Sequence, residues 1–452
     1  MWIGVRRAVV LGGLVMPALA VPAARGQATA EIDREPIRYS TTPGCDAVAR
    51  LQGRIERGEV TLAYDDDGQG YLKSVLAALK VPAESQMLVF SKTSFQQSRI
   101  APGTPRAVYF GDDVYVGYVR GGDMLEFSAA DPRLGATFYL LDQQEVGRPK
   151  FVRQTDACLQ CHHSAKTQDV PGHLVRSVFT DSRGYPVFGA GSFATDHESP
   201  MSERWGGWYV TGTHGSQRHM GNVVVTDREH PDRLDTAAGS NRKDLKGLVD
   251  ARAYLTPHSD IVALMVLEHQ TQTQNRITRA GHQARLARYY DAGVNKALGR
   301  PDDAESPSTA RRLDAQAEEL VRFMLFTDEP KLTAPVAGTS GFTEVFPKPG
   351  PRDRKGRSLR DFDLKTRLFQ YPCSYLVASE AFDALPQAVK ERFYRRLLAV
   401  LTGRDTSPSF TRLTPADRRA ILEILLDTKT DLPDEWRESV ADLPTTLSGS
   451  RP

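Results

Sequence analysis

Hydrophobic and polar positions follow a strand-like spacing over residues 86–155. Short stretches rich in aromatic and β-branched residues alternate there with turns of Gly, Asp and Pro. Such stretches suit a pleated surface, so they predict an antiparallel β-sheet. The predicted strands are Ala107–Phe110, Val114–Val119, Met124–Phe127 and Ala136–Leu141.

A second β-like set lies within 175–226, and the pattern becomes helical after residue 242. The second set comprises Tyr185–Phe188, Trp208–Thr211 and Asn222–Thr226. Apolar residues at helical spacing predict a long helix over 259–290. Shorter helices are predicted over 69–80, 309–326, 386–402 and 415–428. The chain is therefore predicted to be an α+β protein, with an antiparallel β-rich N-terminal half and a mainly α-helical C-terminal half.

The first 28 residues have the pattern of an export signal. Met1–Arg7 carries two positive charges and no acid, Ala8–Ala20 is apolar, and small residues allow cleavage after Ala20 or Ala28. A positive start, an apolar middle and a small-residue cleavage site are typical of a secretory signal peptide. We expect the mature protein to be periplasmic or otherwise exported. The alternative is an uncleaved membrane anchor, which the prolines in and after the apolar segment disfavour.

Composition narrows the protein classes that the chain can belong to. Its 452 residues are 40% hydrophobic and 25% charged, a balance typical of globular proteins with two or three domains. A net charge of +2 excludes a broadly basic nucleic-acid-binding protein. No apolar run downstream of the N-terminus is long enough to span a membrane. We therefore expect no nucleic-acid partner and no membrane span in the mature chain.

The segment Cys158-Leu159-Gln160-Cys161-His162 carries the chemistry of this sequence. Cys-x-x-Cys-His is the attachment sequence of c-type haem. Two thiols on one turn can each add to a vinyl group at the same porphyrin edge. The following histidine then lies under the ring and binds iron as the proximal ligand.

At these five residues, and in its export signal, the chain resembles the c-type cytochromes. The resemblance implies one covalent haem c, thioether bonds from Cys158 and Cys161, and His162 as the axial iron ligand. It also implies electron transfer to or from a redox partner protein. Small soluble cytochromes carry the motif near the start of a short helical domain, whereas here long segments precede and follow it.

Other interpretations of the cysteines stay open at this point. Cys158 and Cys161 are also compatible with a structural zinc site that takes His163 as a further ligand, with a thioredoxin-like redox pair, or with a structural disulfide between the two cysteines. The remaining thiols, Cys45 and Cys373, either form a disulfide that closes a very long loop or stay as isolated buried cysteines.

The sixth iron ligand is not marked by any motif. Histidines are good haem-iron ligands, and several polar ones follow the haem motif. We rank His219, in a Gly-flanked loop, and His269, on the predicted long helix, above Met201 as distal candidates. If the protein is a haem enzyme, the candidate distal acid–base groups are His214, His219, His269 and Arg218.

Three functions follow from these observations. The first is an exported monohaem c-type cytochrome that transfers electrons through covalently bound haem. The second is a haem-dependent, peroxidase-like oxidoreductase with an open distal site, and the third is a zinc-stapled binding protein. The predicted regions are a signal peptide at 1–28, a β-rich domain at 29–155, a haem c-binding region with the long helix at 156–300, and a helical C-terminal region at 301–452.

Overall fold

The computed structural model describes residues 31–230 and 233–441. The predicted signal peptide, 1–28, lies outside the described residues. Within them, no helix combines the length and the apolar character needed to cross a membrane.

A six-stranded antiparallel sheet forms the centre of the N-terminal half, and its strands follow one another in sequence order. The strands are β1 (Met87–Val89), β2 (Arg106–Phe110), β3 (Val114–Val119), β4 (Met124–Asp131), β5 (Gly135–Asp142) and β6 (Phe151–Gln154). The four predicted strands are confirmed, and the β4 strand is longer than predicted. The sheet also confirms the predicted fold class, because mainly helical structure follows it.

The two faces of the sheet have different partners, because successive side chains of a strand point to opposite faces. Leu125, Phe127 and Tyr139 belong to the face that packs in an apolar cluster with the N-terminal helices. Glu126 and Phe138 lie on the other face, where the register pairs Glu126 with Gly117 and Leu140. This second face carries the contacts to the haem motif described below.

Helices border the sheet and make up most of the C-terminal half. They are α1 (Ala47–Glu56), α2 (Leu72–Ala78), α3 (Leu159–His162), α4 (Ile261–Leu298), α5 (Pro307–Met324), α6 (Phe342–Val345), α7 (Glu380–Asp383), α8 (Gln387–Leu401), α9 (Pro415–Thr428) and α10 (Glu435–Ala441). The predicted long helix is confirmed and extends beyond its predicted end to Leu298. Asp260 caps its start by accepting the backbone N–H of Val262 and Ala263.

The second β-like set is largely wrong as a prediction. Within 175–226 only β7 (Arg176–Val178) and β8 (Ser192–Ala194) form a short two-stranded sheet. Trp208 and Val225 instead make isolated bridges to different parts of the chain. The Asn222 side chain bonds both the N–H and the C=O of Val210, so these groups have a partner that replaces a neighbouring strand.

One large apolar cluster joins the three predicted regions of the mature chain. It includes Met87 on β1, Trp205, Val266 on α4 and Trp436 on α10. The middle of α4 is unusual for a buried helix, because every residue from Glu268 to Asn275 is polar and at most 4% exposed. Buried polar groups need hydrogen-bond partners, so this stretch fixes the segments that pack around it.

Candidate functional site

The haem motif forms a single helical turn at the end of the sheet. The N–H of Cys161 and the N–H of His162 both donate to the C=O of Cys158, at 3.2 and 3.0 Å. Both thiols are free, with Cys161 exposed and Cys158 partly buried. Burial raises the pKa of Cys158 to about 12, so this sulfur is a protonated thiol at neutral pH.

His162 is held in the tautomer that a metal ligand requires. Its Nδ1 lies 2.9 Å from the carbonyl oxygen of Gly172, which can only accept, so Nδ1 carries the proton. The ring packs on Phe138 with the ring centroids 4.9 Å apart. Burial lowers the pKa of His162, which keeps the imidazole neutral. Nε2 therefore keeps a lone pair, and no hydrogen bond engages it among the described residues.

A charged pair lies within electrostatic range of the motif. Arg106 on β2 and Glu126 on β4 form an ion pair at 2.8 Å, and the hydroxyl of Ser94 donates to Glu126. After burial, the Glu126 carboxylate is the largest influence that raises the pKa of Cys158, and Arg106 opposes it. The same two residues act on the pKa of His162 in opposite directions, since Arg106 lowers it and Glu126 raises it. The two charges of this pair therefore oppose each other at the site.

His173 is a buried neighbour of the site that sequence reasoning missed. Its Nδ1 lies 2.8 Å from the hydroxyl of Ser128, and its ring packs on Tyr115 at 4.5 Å. Its Nε2 has no partner among the described residues. Burial, with a further contribution from His162, lowers the pKa of His173 to about 3. Nothing in its spacing from the motif marks this histidine in the sequence.

The first distal candidate, His219, lies in a histidine cluster of its own. Its ring contacts His214 at 4.7 Å and Trp205 at 5.4 Å. The backbone N–H of Gly221 donates to Nδ1 at 3.0 Å, so in the neutral ring the proton is on Nε2. No hydrogen bond or ring contact joins His219 to His162 in the described part of the chain. Iron binding by Nε2 would require the Gly221 contact to break.

The second distal candidate, His269, is wholly buried in the C-terminal core. Its Nδ1 lies 3.0 Å from Nδ1 of His197, and its Nε2 lies 2.8 Å from the hydroxyl of Ser374. Both ring nitrogens are therefore engaged. Met201 packs, partly buried, against the same large core cluster. Within the described residues none of these side chains contacts His162, and the identity of the sixth ligand stays a prediction.

The surroundings of His163 and of the two cysteines also test the interpretation as a zinc site. His163 places Nε2 3.2 Å from the carbonyl oxygen of Asp169, whereas its Nδ1 has no hydrogen-bond partner among the described residues. No group of three or more His, Cys, Asp or Glu side chains that could hold a metal ion exists among residues 31–230 and 233–441. The described residues therefore do not provide the four protein ligands that close a structural zinc site.

The sequence left two interpretations open for the cysteines outside the motif. Cys45 and Cys373 are both free thiols, so the expected disulfide between them is not present. Cys373 lies in the large apolar core, which agrees with the isolated-cysteine interpretation.

A loop around Arg354 is rich in Arg and Lys, and ion pairs within the chain neutralise its charge. The pairs are Arg352–Asp361, Arg354–Asp427, Lys355–Glu423, Arg357–Asp353 and Arg360–Asp112.

The donor set fits a covalently attached haem. Two free thiols lie on one helical turn, and the adjacent neutral histidine has an unengaged Nε2. Comparison with protein-family models, with curated proteins and with solved structures finds no match for this chain. Function is therefore inferred from the residues and their geometry.

Proposed function

We propose that this protein is an exported monohaem c-type cytochrome that transfers single electrons to or from a redox partner protein. The observation that carries the proposal is the state of His162. Its Nδ1 donates to the Gly172 carbonyl oxygen, which leaves Nε2 as the ligand atom next to two free thiols. Metal-ligating histidines almost always donate their other N–H in this way.

Each residue of the site has a separate task in this proposal. Cys158 and Cys161 anchor the haem through two thioether bonds, and His162 binds its iron on one side. When bound, the haem supplies a one-electron couple between ferric and ferrous iron. Phe138 packs against the His162 ring and Gly172 fixes its rotation, so the ligand changes little in position when the iron changes charge.

The test of the proposal is covalent haem at the two cysteines. Protein purified from a strain that matures haem c is denatured and extracted with acidified solvent. We expect the haem colour to stay with the polypeptide, and the double variant Cys158→Ala/Cys161→Ala to remove it because both thioether bonds are lost. Cys373→Ala is the matched control, since this thiol is buried in the core and should leave haem content unchanged. Complete extraction of haem from the unmodified chain would refute the proposal.

A haem-dependent oxidoreductase with an open distal site is the second candidate. It is favoured by the hydrogen bonds of the two distal candidates, because His219 carries its proton on Nε2 and His269 has both nitrogens engaged. The ferric absorption spectrum separates the two functions. A low-spin spectrum that His219→Ala or His269→Ala converts to high spin favours the electron carrier. A high-spin spectrum in the unmodified protein favours the enzyme.

A further inference from the structure

A buried asparagine on the long helix holds the backbone next to the haem motif. Asn275 is 1% exposed, and its Oδ1 accepts the backbone N–H of His173 at 2.8 Å. Its Nδ2 donates to the C=O of the same residue, also at 2.8 Å. Both ends of the amide are therefore used to hold one residue of a loop that is 102 positions away in sequence.

The residue before His173 provides the acceptor for His162. The C=O of Gly172 accepts from Nδ1 of His162 at 2.9 Å, and the N–H of Gly172 donates to the C=O of His162. A Cβ atom at Gly172 would lie 2.5 Å from Oδ1 of Asn275 and 2.8 Å from Cβ of Thr167. The carbonyl that orients His162 is thus confined between α4 and the loop after the motif.

We infer that Asn275 and Gly172 are positioning residues that set the strength of the hydrogen bond from His162 Nδ1, and through it the reduction potential of the haem. The inference rests on the proposed function. A fixed acceptor on the second nitrogen raises the basicity of a ligating imidazole. A more basic ligand stabilises ferric over ferrous iron. The clamp, which is Asn275 with the Gly172–His173 backbone that it holds, therefore keeps the midpoint potential of the haem low.

Two substitutions disturb the contact between Asn275 and the Gly172–His173 backbone, one at each partner. Asn275→Ala removes both bonds to His173, and Gly172→Ala adds a Cβ atom that clashes with Asn275 and Thr167 and so displaces the backbone that carries the acceptor. Each is expected to raise the midpoint potential. A tenfold shift in the ferric to ferrous ratio at a fixed applied potential corresponds to about 59 mV for one electron.

The chain offers a matched control in Asn222. Its side chain makes the same pair of bonds to the backbone of Val210, both at 2.7 Å, and Nδ2 also donates to the C=O of Gly239 at 2.8 Å. Asn222→Gly removes these bonds, and glycine tolerates the positive φ of 66° found there. We expect it to lower the melting temperature as Asn275→Ala does, but to leave the exchange of the His162 Nδ1 proton unchanged.

A second readout does not depend on the haem. In ¹⁵N-histidine NMR of the protein before haem attachment, we expect His162 as the Nδ1–H tautomer with slow exchange of that proton. Asn275→Ala should speed the exchange, whereas Asn222→Gly should not. Absence of covalent haem would refute the proposed function, and the NMR result would still decide on the clamp. Unchanged exchange in Asn275→Ala, or an unchanged potential in both clamp variants of the haem protein, would overturn the inference.

Discussion

At the scale of single residues, the hydrogen-bond partner of an imidazole decides what its other nitrogen can do. His162 faces a carbonyl oxygen and keeps a lone pair on Nε2, whereas His219 faces a backbone N–H and carries a proton on Nε2. The two histidines therefore differ in whether Nε2 has a lone pair available for a metal ion. The difference arises from one backbone contact in each case.

Glu268 is the residue for which we expect a clear pH dependence. Its carboxylate is fully buried, 3.3 Å from Arg204, and burial raises its pKa to about 7. A group with a raised folded-state pKa stabilises the protein below the unfolded value and loses that contribution as the pH rises through the folded value. We predict that Glu268→Gln gains stability relative to the unmodified protein between pH 5 and pH 8, by at most ~1.4 kcal/mol per pH unit.

Chemical denaturation at several pH values measures this difference. Glu268→Gln replaces the carboxylate beside Arg204 with a neutral amide, and Arg204 keeps its bonds to the carbonyl oxygens of His197 and Ser199. A stability difference that is constant over this range would show that Glu268 is not the titrating group.

At the scale of elements, one carboxylate anchors the start of the long helix. Asp260 is fully buried and accepts the N–H groups of Val262 and Ala263 through Oδ1 and those of Thr339 and Ser340 through Oδ2. The residue thus caps α4 and ties it to the loop before α6. Four backbone donors would lose their acceptor without it.

We predict that Asp260→Ala is far more costly than an ordinary helix-cap substitution. Loss of the cap costs about 1 kcal/mol, and each buried N–H left without an acceptor adds about 1–3 kcal/mol. Ser306→Ala is the control, because Ser306 caps α5 through the single N–H of Thr309. Urea denaturation should show a loss of about 1 kcal/mol for the control and at least twice that loss for Asp260→Ala. Equal losses would contradict the prediction.

The elements of the sheet and the long helices could be predicted because their signals are local. A run of aromatic and β-branched residues marks Val114–Val119, and apolar residues at helical spacing mark the helix that ends at Thr428. The segment from Trp208 to Val225 could not be predicted, since its backbone is bonded by the Asn222 side chain and by isolated bridges instead of a neighbouring strand. Cys158, Cys161 and His162 follow from a motif, whereas His173 and Asn275 become neighbours only through tertiary contacts.

At the scale of the whole molecule, the shared core links the sheet to the last helix. Met87, Trp205 and Trp436 belong to one apolar cluster together with the first turns of α4. Burial of large apolar side chains is the main favourable contribution to folding. Disruption at one end of this cluster therefore weakens contacts at the other.

We predict that residues 31–441 unfold in one cooperative transition. Tryptophan fluorescence reports on the shared core, and far-UV circular dichroism reports mainly on the helices, so the two urea curves should coincide. Trp436→Phe serves as a control that removes the C-terminal reporter while keeping an aromatic ring in the core. A separate early transition of the helical C-terminal half would contradict the prediction.

The position of Asn275 in the chain has a consequence for biogenesis. If the chain is exported and matured as proposed, its two cysteines reach the maturation machinery before the residue that steadies the Gly172 carbonyl, since Asn275 lies 102 positions after His173. Thioether formation would then take place on a segment that has not yet folded. The hydrogen bond of His162 would reach its final geometry later, when the long helix docks, so the folding of a distant part of the same chain would complete the site.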